Sequence, residues 1–261
     1  MTSATAGVPE EGAQADPGAP PPWYDRLVTS LPAIRDSRVG RWAPPAGAQP
    51  RQSAVLVLFG SGDGEGAAGR GPDVLLTQRS AGLRSHAGQV AFPGGRLDPE
   101  DDGPQAAALR EAQEETGLDP AGVTVGDLAP PLWVPVTNYA VTPVVAWWTR
   151  PSPVRPVDTR EVVRVVRVPL VELVDPINRF TVMHPSGVAG PGFEVRGLFV
   201  WGFTAAVLTG MLALAGWERP WDTGRRVPLP AQPTPDEVEA EQAVPDPDAG
   251  IGETDEKGGP A

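Results

Sequence analysis

Residues 94–118 read GGRLDPEDDGPQAAALREAQEETGL, and this stretch decides the fold of the chain. Its second half is rich in Ala, Leu, Gln and Glu, which are strong helix formers. Gly117 is well placed to end a helix, because glycine adopts the left-handed backbone conformation of a helix C-terminus at little cost. The sequence therefore predicts a helix over residues 104–116.

Three carboxylates share one face of that predicted helix. Glu111, Glu114 and Glu115 are spaced i, i+3 and i+4, so their side chains project from the same side. Like charges at this spacing repel, whereas a bound divalent cation would offset the repulsion. Carboxylate oxygens without His or Cys favour hard ions, Mg²⁺ or Mn²⁺. Taken alone, E-x-x-E-E is more typical of a solvated acidic helix face.

The acidic cluster belongs to a longer pattern. Gly95 followed by Arg110-Glu111-Ala112-Gln113-Glu114-Glu115-Thr116-Gly117-Leu118 resembles the Nudix box, the loop–helix–loop signature of Nudix hydrolases. Upstream, residues 75–95 follow L-L-T-x-R-S-x3-R-x3-G-x3-F-P-G-G, which resembles the additional motif of the coenzyme A diphosphatase branch of that superfamily. Trp201-Gly202-Phe203-Thr204 and the apolar stretch after it resemble the C-terminal segment of the same branch. The resemblance covers about residues 50–215.

One spacing departs from the general box. The box places its glycine 14 residues before the Arg and a Glu six residues after that glycine, whereas Gly95 and Arg110 are 15 residues apart here. The acid in this chain is Asp101 or Asp102. The coenzyme A branch is similar in carrying an extra residue and an Asp. Both aspartates are therefore candidates.

The resemblance implies a Mg²⁺- or Mn²⁺-dependent hydrolase that cleaves coenzyme A into adenosine 3′,5′-bisphosphate and 4′-phosphopantetheine. Glu111 and Glu115 would ligate the metal, with Glu114 as a third ligand or as the base that accepts the proton of water. Gly95 would complete the metal site, and its flexible backbone allows a tight turn beneath it. Arg110 would orient the carboxylates, although an Arg here also pairs with Glu114 on an ordinary helix surface.

The same resemblance implies a substrate site upstream of the helix. Arg79 and Arg84 would hold the phosphates of coenzyme A, including its 3′-phosphate, although Arg79 could instead pack against the helix. The other implied substrate-binding residues are His86, Gly88 and Phe92, with Gln89 as a further hydrogen-bonding candidate. Each of these has an ordinary structural alternative, and the residue type of Phe92 favours the core. Weaker candidates are Glu161 as a second possible base and Asn138 and Tyr139 as pocket residues.

Around this motif the sequence predicts an α/β (α+β) fold, a Nudix-type α/β/α sandwich with a mixed β-sheet and the catalytic loop–helix–loop. Helices and strands alternate without the strict order of a parallel sheet. Further helices are expected at 23–31, 170–173 and 203–214. Strands are expected at 54–59, 74–77, 123–128, 132–134, 141–149, 162–168, 180–184 and 193–195.

Composition sets the expected domain limits. Of 261 residues, 33 are Pro and 31 are Gly, a share that borders on low complexity. We expect a disordered tail over 1–22, one domain over 23–221 and a disordered acidic, Pro-rich tail over 222–261. The net charge of −12 is concentrated in these ends and disfavours nucleic acid as a partner.

The N-terminal residues, the absence of Cys and one apolar segment indicate the compartment and the relation to membranes. Residues 1–22 lack a signal-peptide pattern, and with the absence of Cys this predicts a cytoplasmic protein without disulfides or thiolate metal sites. Residues 197–216 carry no charge, but Trp201-Gly202 divides them into a strand-like piece and a helix of about 13 residues. A buried core helix is therefore favoured over a membrane span.

The Gly-rich segment 60–66 is not a dinucleotide-binding turn. Gly71-Pro72 and a further strand follow it, so no helix N-terminus is available for a pyrophosphate, and its acidic residues would repel phosphate. We expect a flexible hairpin insertion here. Three functions stay open at this point: coenzyme A hydrolysis, hydrolysis of another nucleotide substrate such as ADP-ribose or a nucleoside triphosphate, and a catalytically silent Nudix-fold binding module. The motif around Arg79 and Arg84 argues against the second, and the intact acidic cluster argues against the third.

Overall fold

The computed structural model describes residues 18–36, 47–63, 69, 71–83, 85–135 and 137–230. Four helices are present in these ranges: α1 (Pro22–Ser30), α2 (Pro104–Thr116), α3 (Leu170–Leu173) and α4 (Gly202–Leu214). Short 3-10 turns cover Leu31–Asp36, Pro120–Gly122 and Pro176–Asn178. The strands are β1 (Arg51–Gly60), β2 (Asp73–Arg79), β3 (Val90–Ala91), β4 (Gly94–Arg96), β5 (Val123–Leu128), β6 (Leu132–Val134), β7 (Tyr139–Trp148), β8 (Val162–Pro169), β9 (Arg179–Met183), β10 (Ala189–Val195), β11 (Leu198–Val200) and β12 (Arg226–Pro228).

A mixed sheet forms the centre of the fold. Its strand order is β3-β2-β1-β7-β5, with β4 paired to β1, β6 to β7 and β8 to β2. Strands β1 and β7 are parallel, in register from Arg51 opposite Tyr139 to Phe59 opposite Trp147, whereas β1 and β2 are antiparallel. The predicted α/β fold with a mixed sheet is confirmed.

The two faces of this sheet bury different sets of side chains. Because neighbouring residues of a strand point to opposite faces, Leu56 and Leu58 of β1 pack with α2, while Val57 and Phe59 pack on the other side. That second face is covered by α1, α4 and a smaller sheet with the order β11-β10-β9-β12. Helix α2 is held against the first face by three fully buried alanines, Ala107, Ala108 and Ala112.

Helix α2 has the predicted bounds, and its end has the predicted cause. Gly117 follows it with φ +69°, in the left-handed region, and its N–H donates to the carbonyl of Gln113. The strand-like piece expected before Trp201 is β11, and the 13-residue α4 that follows is a separate element. Among the described residues no helix is long and apolar enough to cross a membrane.

The expected tail boundary at residue 222 is wrong. Arg226–Pro228 form β12, which pairs in parallel with Thr181–Met183 of β9. The amide of Thr181 donates to the carbonyl of Arg225 at 2.8 Å, so this segment belongs to the small sheet. A strand of only three residues, the last of them proline, lacks the apolar alternation that identifies a strand from sequence. Strands β1 and β2 are joined as a hairpin as expected, although residues 64–68 and 70 of the connection lie outside the described ranges.

Candidate active site

Helix α2 and the glycine pair of β4 meet beside β1, a middle strand of the central sheet. Strand β4 pairs antiparallel with β1, which places Gly94 opposite Val55 and Gly95 opposite Ala54. The buried alanines on one side of α2 turn Glu111 and Glu115 toward the glycine pair. The predicted acidic face therefore lies over the backbone of β4.

Glu111 approaches Gly95 very closely. A Cβ atom on Gly95 would lie 2.3 Å from the Glu111 carboxyl carbon and from one of its oxygens. Only glycine leaves room for the carboxylate in this position. Burial raises the pKa of Glu111 above its usual value, and the neighbouring Arg110 guanidinium opposes that shift.

Glu115 is the most buried acid of the face, with 8% of its side chain exposed. The Gly94 amide donates to its Oε2 at 3.2 Å, and Nη1 of Arg79 lies 3.7 Å from its Oε1. Burial raises the pKa of Glu115 to about 7, and the negative charges of Glu111 and Glu161 add to the effect. Desolvation outweighs the two stabilising contacts, which disfavours the ionised form of this carboxylate.

Arg110 connects the acidic face to the loop before α2. Its Nε and Nη2 donate to the two carboxylate oxygens of Asp101 at 3.1 and 3.0 Å. Its Nη1 donates to Glu111 and to Glu114, each at 3.1 Å. These contacts lower the pKa of Asp101. Of the two candidate aspartates, Asp101 is the one that Arg110 binds, whereas Asp102 is exposed.

Glu114 differs from the other two carboxylates because it is 58% exposed and pairs with Arg110 as the i,i+4 neighbour. Arg110 therefore makes both contacts expected from the sequence, since it holds the carboxylate of Glu111 and also pairs with Glu114.

The described residues include no group of three or more His, Asp or Glu side chains arranged to hold a metal ion. Glu111 and Glu115 are nevertheless hard oxygen donors, and the under-compensated charge of buried Glu115 fits a divalent cation.

The upstream motif forms the end of β2 and the loop that follows. The Arg79 amide donates to the Gln89 carbonyl at 2.9 Å, which closes the loop. His86 and Gly88 lie in this loop with φ +57° and +67°. Nδ1 of His86 lies 2.9 Å from Oε1 of Gln89, so these two side chains pair with each other. Arg84 lies outside the described residues.

Phe92 is not available to a substrate. Its side chain is 3% exposed and belongs to the main core, on the face of the sheet opposite α2. The proposed substrate-binding role of Phe92 is therefore wrong, because alternation along the chain turns this ring inward. Asn138 and Tyr139 have structural contacts of their own: Asn138 Oδ1 accepts from Trp133 Nε1 at 3.1 Å, and the Arg51 guanidinium stacks over the Tyr139 ring at 4.3 Å.

A cavity that the sequence did not indicate lies beside the motif loop. Its volume is about 480 Å³, and it is lined by Ser80, Gly82, Thr159, Arg160 and Val163. The Ser80 amide donates to the Glu161 carbonyl at 2.8 Å, so the loop 158–161 is fixed next to the end of β2. Thr159 and Arg160 are brought here by the antiparallel pairing of β2 with β8. Because that pairing joins segments far apart in sequence, no local signal reveals it.

The chain is similar to known proteins over this same region. The family model of the NUDIX domain matches residues 50–182. An uncharacterised Nudix hydrolase, NudL, of Escherichia coli K12 is 42% identical over 144 residues, which are 52% of this chain and 72% of the relative. The NudL of Shigella boydii serotype 18 gives the same identity and coverage.

Solved structures of lower identity match as well. A Nudix hydrolase of M. smegmatis, RenU, is 22% identical with a TM-score of 0.44, over 63% of this chain and 85% of that one. A NUDIX hydrolase of Alicyclobacillus acidocaldarius is 20% identical with a TM-score of 0.41, over 64% and 93% of the two chains. The domain match and the NudL relatives together place the chain in the Nudix hydrolase family, as a diphosphatase.

Proposed function

We propose that this Nudix hydrolase cleaves the diphosphate bond of coenzyme A or its derivatives, giving adenosine 3′,5′-bisphosphate and 4′-phosphopantetheine. One observation carries the proposal: the motif that resembles the coenzyme A branch is joined to the acidic helix, with Arg79 Nη1 3.7 Å from Glu115 Oε1. The loop that bears Arg84, His86 and Gly88 therefore starts beside the carboxylates of α2. A substrate held by this loop has its diphosphate within reach of them.

Glu111 and Glu115 are the proposed ligands of Mg²⁺ or Mn²⁺, with the Gly95 backbone beside them. A divalent ion held there would neutralise charge on the diphosphate and lower the pKa of the attacking water. Glu114 is the exposed carboxylate of the face, which suits either a third ligand or the base that accepts the proton of water. Glu161 is the alternative base, since its charge already acts on Glu115.

Arg110 is proposed to position these carboxylates rather than to contact substrate. Asp101 occupies its Nε and Nη2, and Glu111 and Glu114 share its Nη1. Charge-assisted bonds of this kind fix side-chain geometry. In the reaction a water oxygen attacks one phosphorus in line, the bond to the bridging oxygen breaks, and the other phosphate leaves.

The two arginines of the motif receive different roles. Arg79 Nη1 lies 3.7 Å from Glu115 Oε1, which supports a role in balancing the charge of the acidic face. The 3′-phosphate contact is therefore assigned to Arg84. The nearby cavity of about 480 Å³, with Arg160 in its lining, offers room for this end of the substrate.

The first test is a panel of nucleotide substrates at saturating Mg²⁺, with products identified by mass spectrometry. The proposal expects adenosine 3′,5′-bisphosphate from coenzyme A at a higher kcat/KM than the products of ADP-ribose or nucleoside triphosphates. Faster hydrolysis of ADP-ribose would overturn the choice of substrate while leaving the diphosphatase chemistry intact. Glu111→Gln should lower kcat on the true substrate by about 10²–10³.

The second test compares coenzyme A with dephospho-coenzyme A. Arg84→Ala should raise KM for coenzyme A about 10- to 100-fold and leave KM for dephospho-coenzyme A nearly unchanged, because only the first has the 3′-phosphate. Arg79→Ala is the matched control, since it should impair both substrates equally through Glu115. If Arg84→Ala raises KM equally for both substrates, as Arg79→Ala is expected to do, then Arg84 holds the diphosphate or the scaffold and not the 3′-phosphate.

A further inference from the structure

A second, larger cavity lies between α4 and the small sheet. Its volume is about 920 Å³, within the range of small-molecule sites. The lining is mainly apolar and includes Val182, Val188, Pro191, Trp201, Ala213 and Trp221. None of the lining residues belongs to α2 or to the loop that carries the upstream motif. We call this space the α4 groove.

Arg179 of β9 lies behind one wall of the α4 groove and is completely buried. Its guanidinium stands between two aromatic rings, 5.0 Å from the centre of Phe193 and 4.7 Å from that of Trp221. Its Nη2 donates to Thr209 Oγ1 at 3.3 Å. Nε and Nη1 form no hydrogen bond with any described residue. A buried cation with unmade hydrogen bonds is costly unless an anion reaches it.

The anion nearest to Arg179 is held loosely. Glu218 Oε1 lies 3.8 Å from Arg179 Nη1, which is longer than a charge-assisted hydrogen bond, and the Glu218 side chain is 43% exposed. Burial lowers the pKa of Arg179, and Glu218 only partly opposes this. Thr209, Glu218 and Trp221 all contact Arg179 and also line the α4 groove. The Glu218 side chain therefore lies between the groove and the buried charge, and a carboxylate that took its place would meet Arg179.

We propose that the α4 groove binds an amphipathic monocarboxylate, with the carboxylate on Arg179 in place of Glu218 and the hydrocarbon chain along α4. A single buried cation matches one negative charge, and Glu218 would repel a ligand that carries more. The apolar walls give an alkyl chain the burial that a highly polar ligand cannot use. This site is independent of the proposed hydrolysis of coenzyme A.

The test uses the full chain and isothermal titration calorimetry with laurate, below the concentration at which laurate forms micelles. The proposal expects 1:1 binding of laurate and at least tenfold weaker binding of 1-dodecanol, which has the same chain without the charge. Arg179→Met should weaken laurate binding about tenfold or more, whereas Arg26→Met, an exposed arginine of α1, should not. Circular dichroism and thermal melting check that Arg179→Met is folded.

A second variant tests the part of the groove that would hold the hydrocarbon chain of the ligand. Ala213 is exposed and lines the groove, so Ala213→Leu adds bulk inside it while keeping a strong helix former. This variant should abolish laurate binding and leave the hydrolase activity unchanged. Three results would overturn the proposal: no binding of laurate by the full chain, equal binding of dodecanol, or a dimer in sedimentation that Ala213→Leu converts to monomer. The last would show that a second copy of the chain covers the groove.

Discussion

The carboxylate of Glu111 lies over the backbone of Gly95, 2.3 Å from where a Cβ atom of that residue would be. The adjacent Gly94 is constrained by something different. It has φ +154°, and its Cβ would lie 2.4 Å from the Ala54 carbonyl oxygen and 2.6 Å from the Val55 Cα. A side chain at 95 meets the movable end of a glutamate, whereas one at 94 meets the backbone of β1. Gly94 is therefore required by the fold, and Gly95 is required by the site.

Exchanging each glycine for alanine separates these two roles. Gly95→Ala should displace the Glu111 carboxylate and lower kcat about 10²-fold, since a misplacement of about 1 Å can cost this much. Its Tm should stay close to that of the unaltered chain. Gly94→Ala should instead destabilise the fold by about 1–3 kcal/mol or more, because the backbone of β1 cannot yield. The measurements are steady-state hydrolysis of the substrate identified by the panel, and thermal melting. Full activity in Gly95→Ala would show that Glu111 does not act from its position over Gly95.

The two adjacent aspartates provide a test of how Arg110 is held. Asp101 accepts hydrogen bonds from Arg110 Nε and Nη2, and the same guanidinium reaches Glu111. Asp101→Asn presents an NH₂ group to one of these donors and should lower kcat/KM by about tenfold or more. Asp102→Asn removes the same charge one residue away, on an exposed side chain, and should leave kcat/KM within twofold. Equal rates in the two variants would mean that Arg110 holds the carboxylates without help from Asp101.

Replacing Arg110 by lysine tests the same contact from the other partner. A lysine keeps the charge but cannot form the planar two-point contact with Asp101. Arg110→Lys should therefore resemble Asp101→Asn in kcat/KM, with a small change in Tm. If Arg110→Lys is as active as the unaltered enzyme, only the positive charge matters.

The burial of Glu115 predicts a pH dependence of stability in the metal-free protein. Its pKa is raised from 4.5 to about 7 by burial, so the folded chain binds this proton more tightly than the unfolded chain. The stabilising contribution of the protonated form is full below pH 4.5 and is lost as the pH rises through 7. Denaturation in EDTA should therefore show a free energy of unfolding that falls by on the order of a few kcal/mol between pH 4.5 and 8.

Glu115→Gln should remove that fall and make the metal-free protein more stable at pH 8, while abolishing hydrolysis. Glu114→Gln is the control, because Glu114 is 58% exposed and should leave the pH profile unchanged. Addition of Mg²⁺ should stabilise the unaltered chain at pH 8 more than Glu115→Gln. An identical pH profile for the unaltered chain and Glu115→Gln would contradict the burial effect.

Local sequence patterns predicted α2 and the strands 123–128 and 132–134 because their signals lie within a dozen residues. Helix formers before Gly117 define both the helix and its end. The choice between Asp101 and Asp102 could not be made in this way, since it depends on where the Arg110 side chain lies after α2 packs on the sheet. The contact of Arg79 with Glu115 depends on the same packing. The burial of Arg179 could not be predicted from the sequence, because it follows from the sheet that joins β9 to β12.

The pairing of β12 with β9 predicts how far the chain can be shortened without loss of stability. Strand β12 hydrogen-bonds to β9, and the Leu229 amide donates to the Met183 carbonyl at 3.1 Å. A chain that ends at residue 230 keeps these bonds, and its Tm and kcat should match those of the full chain, because residues 231–261 are acidic and rich in Pro. A chain that ends at Arg225 loses them and leaves the edge of β9 unpaired. At about 0.5–1.5 kcal/mol for each hydrogen bond, the loss should lower Tm by about 2–8 °C. Thermal melting of the two truncated chains, which differ by only five residues, checks this directly. A Tm of the chain that ends at residue 230 below that of the full chain would show that residues 231–261 pack on the domain. Equal Tm values for the two truncated chains would show that β12 contributes nothing to stability.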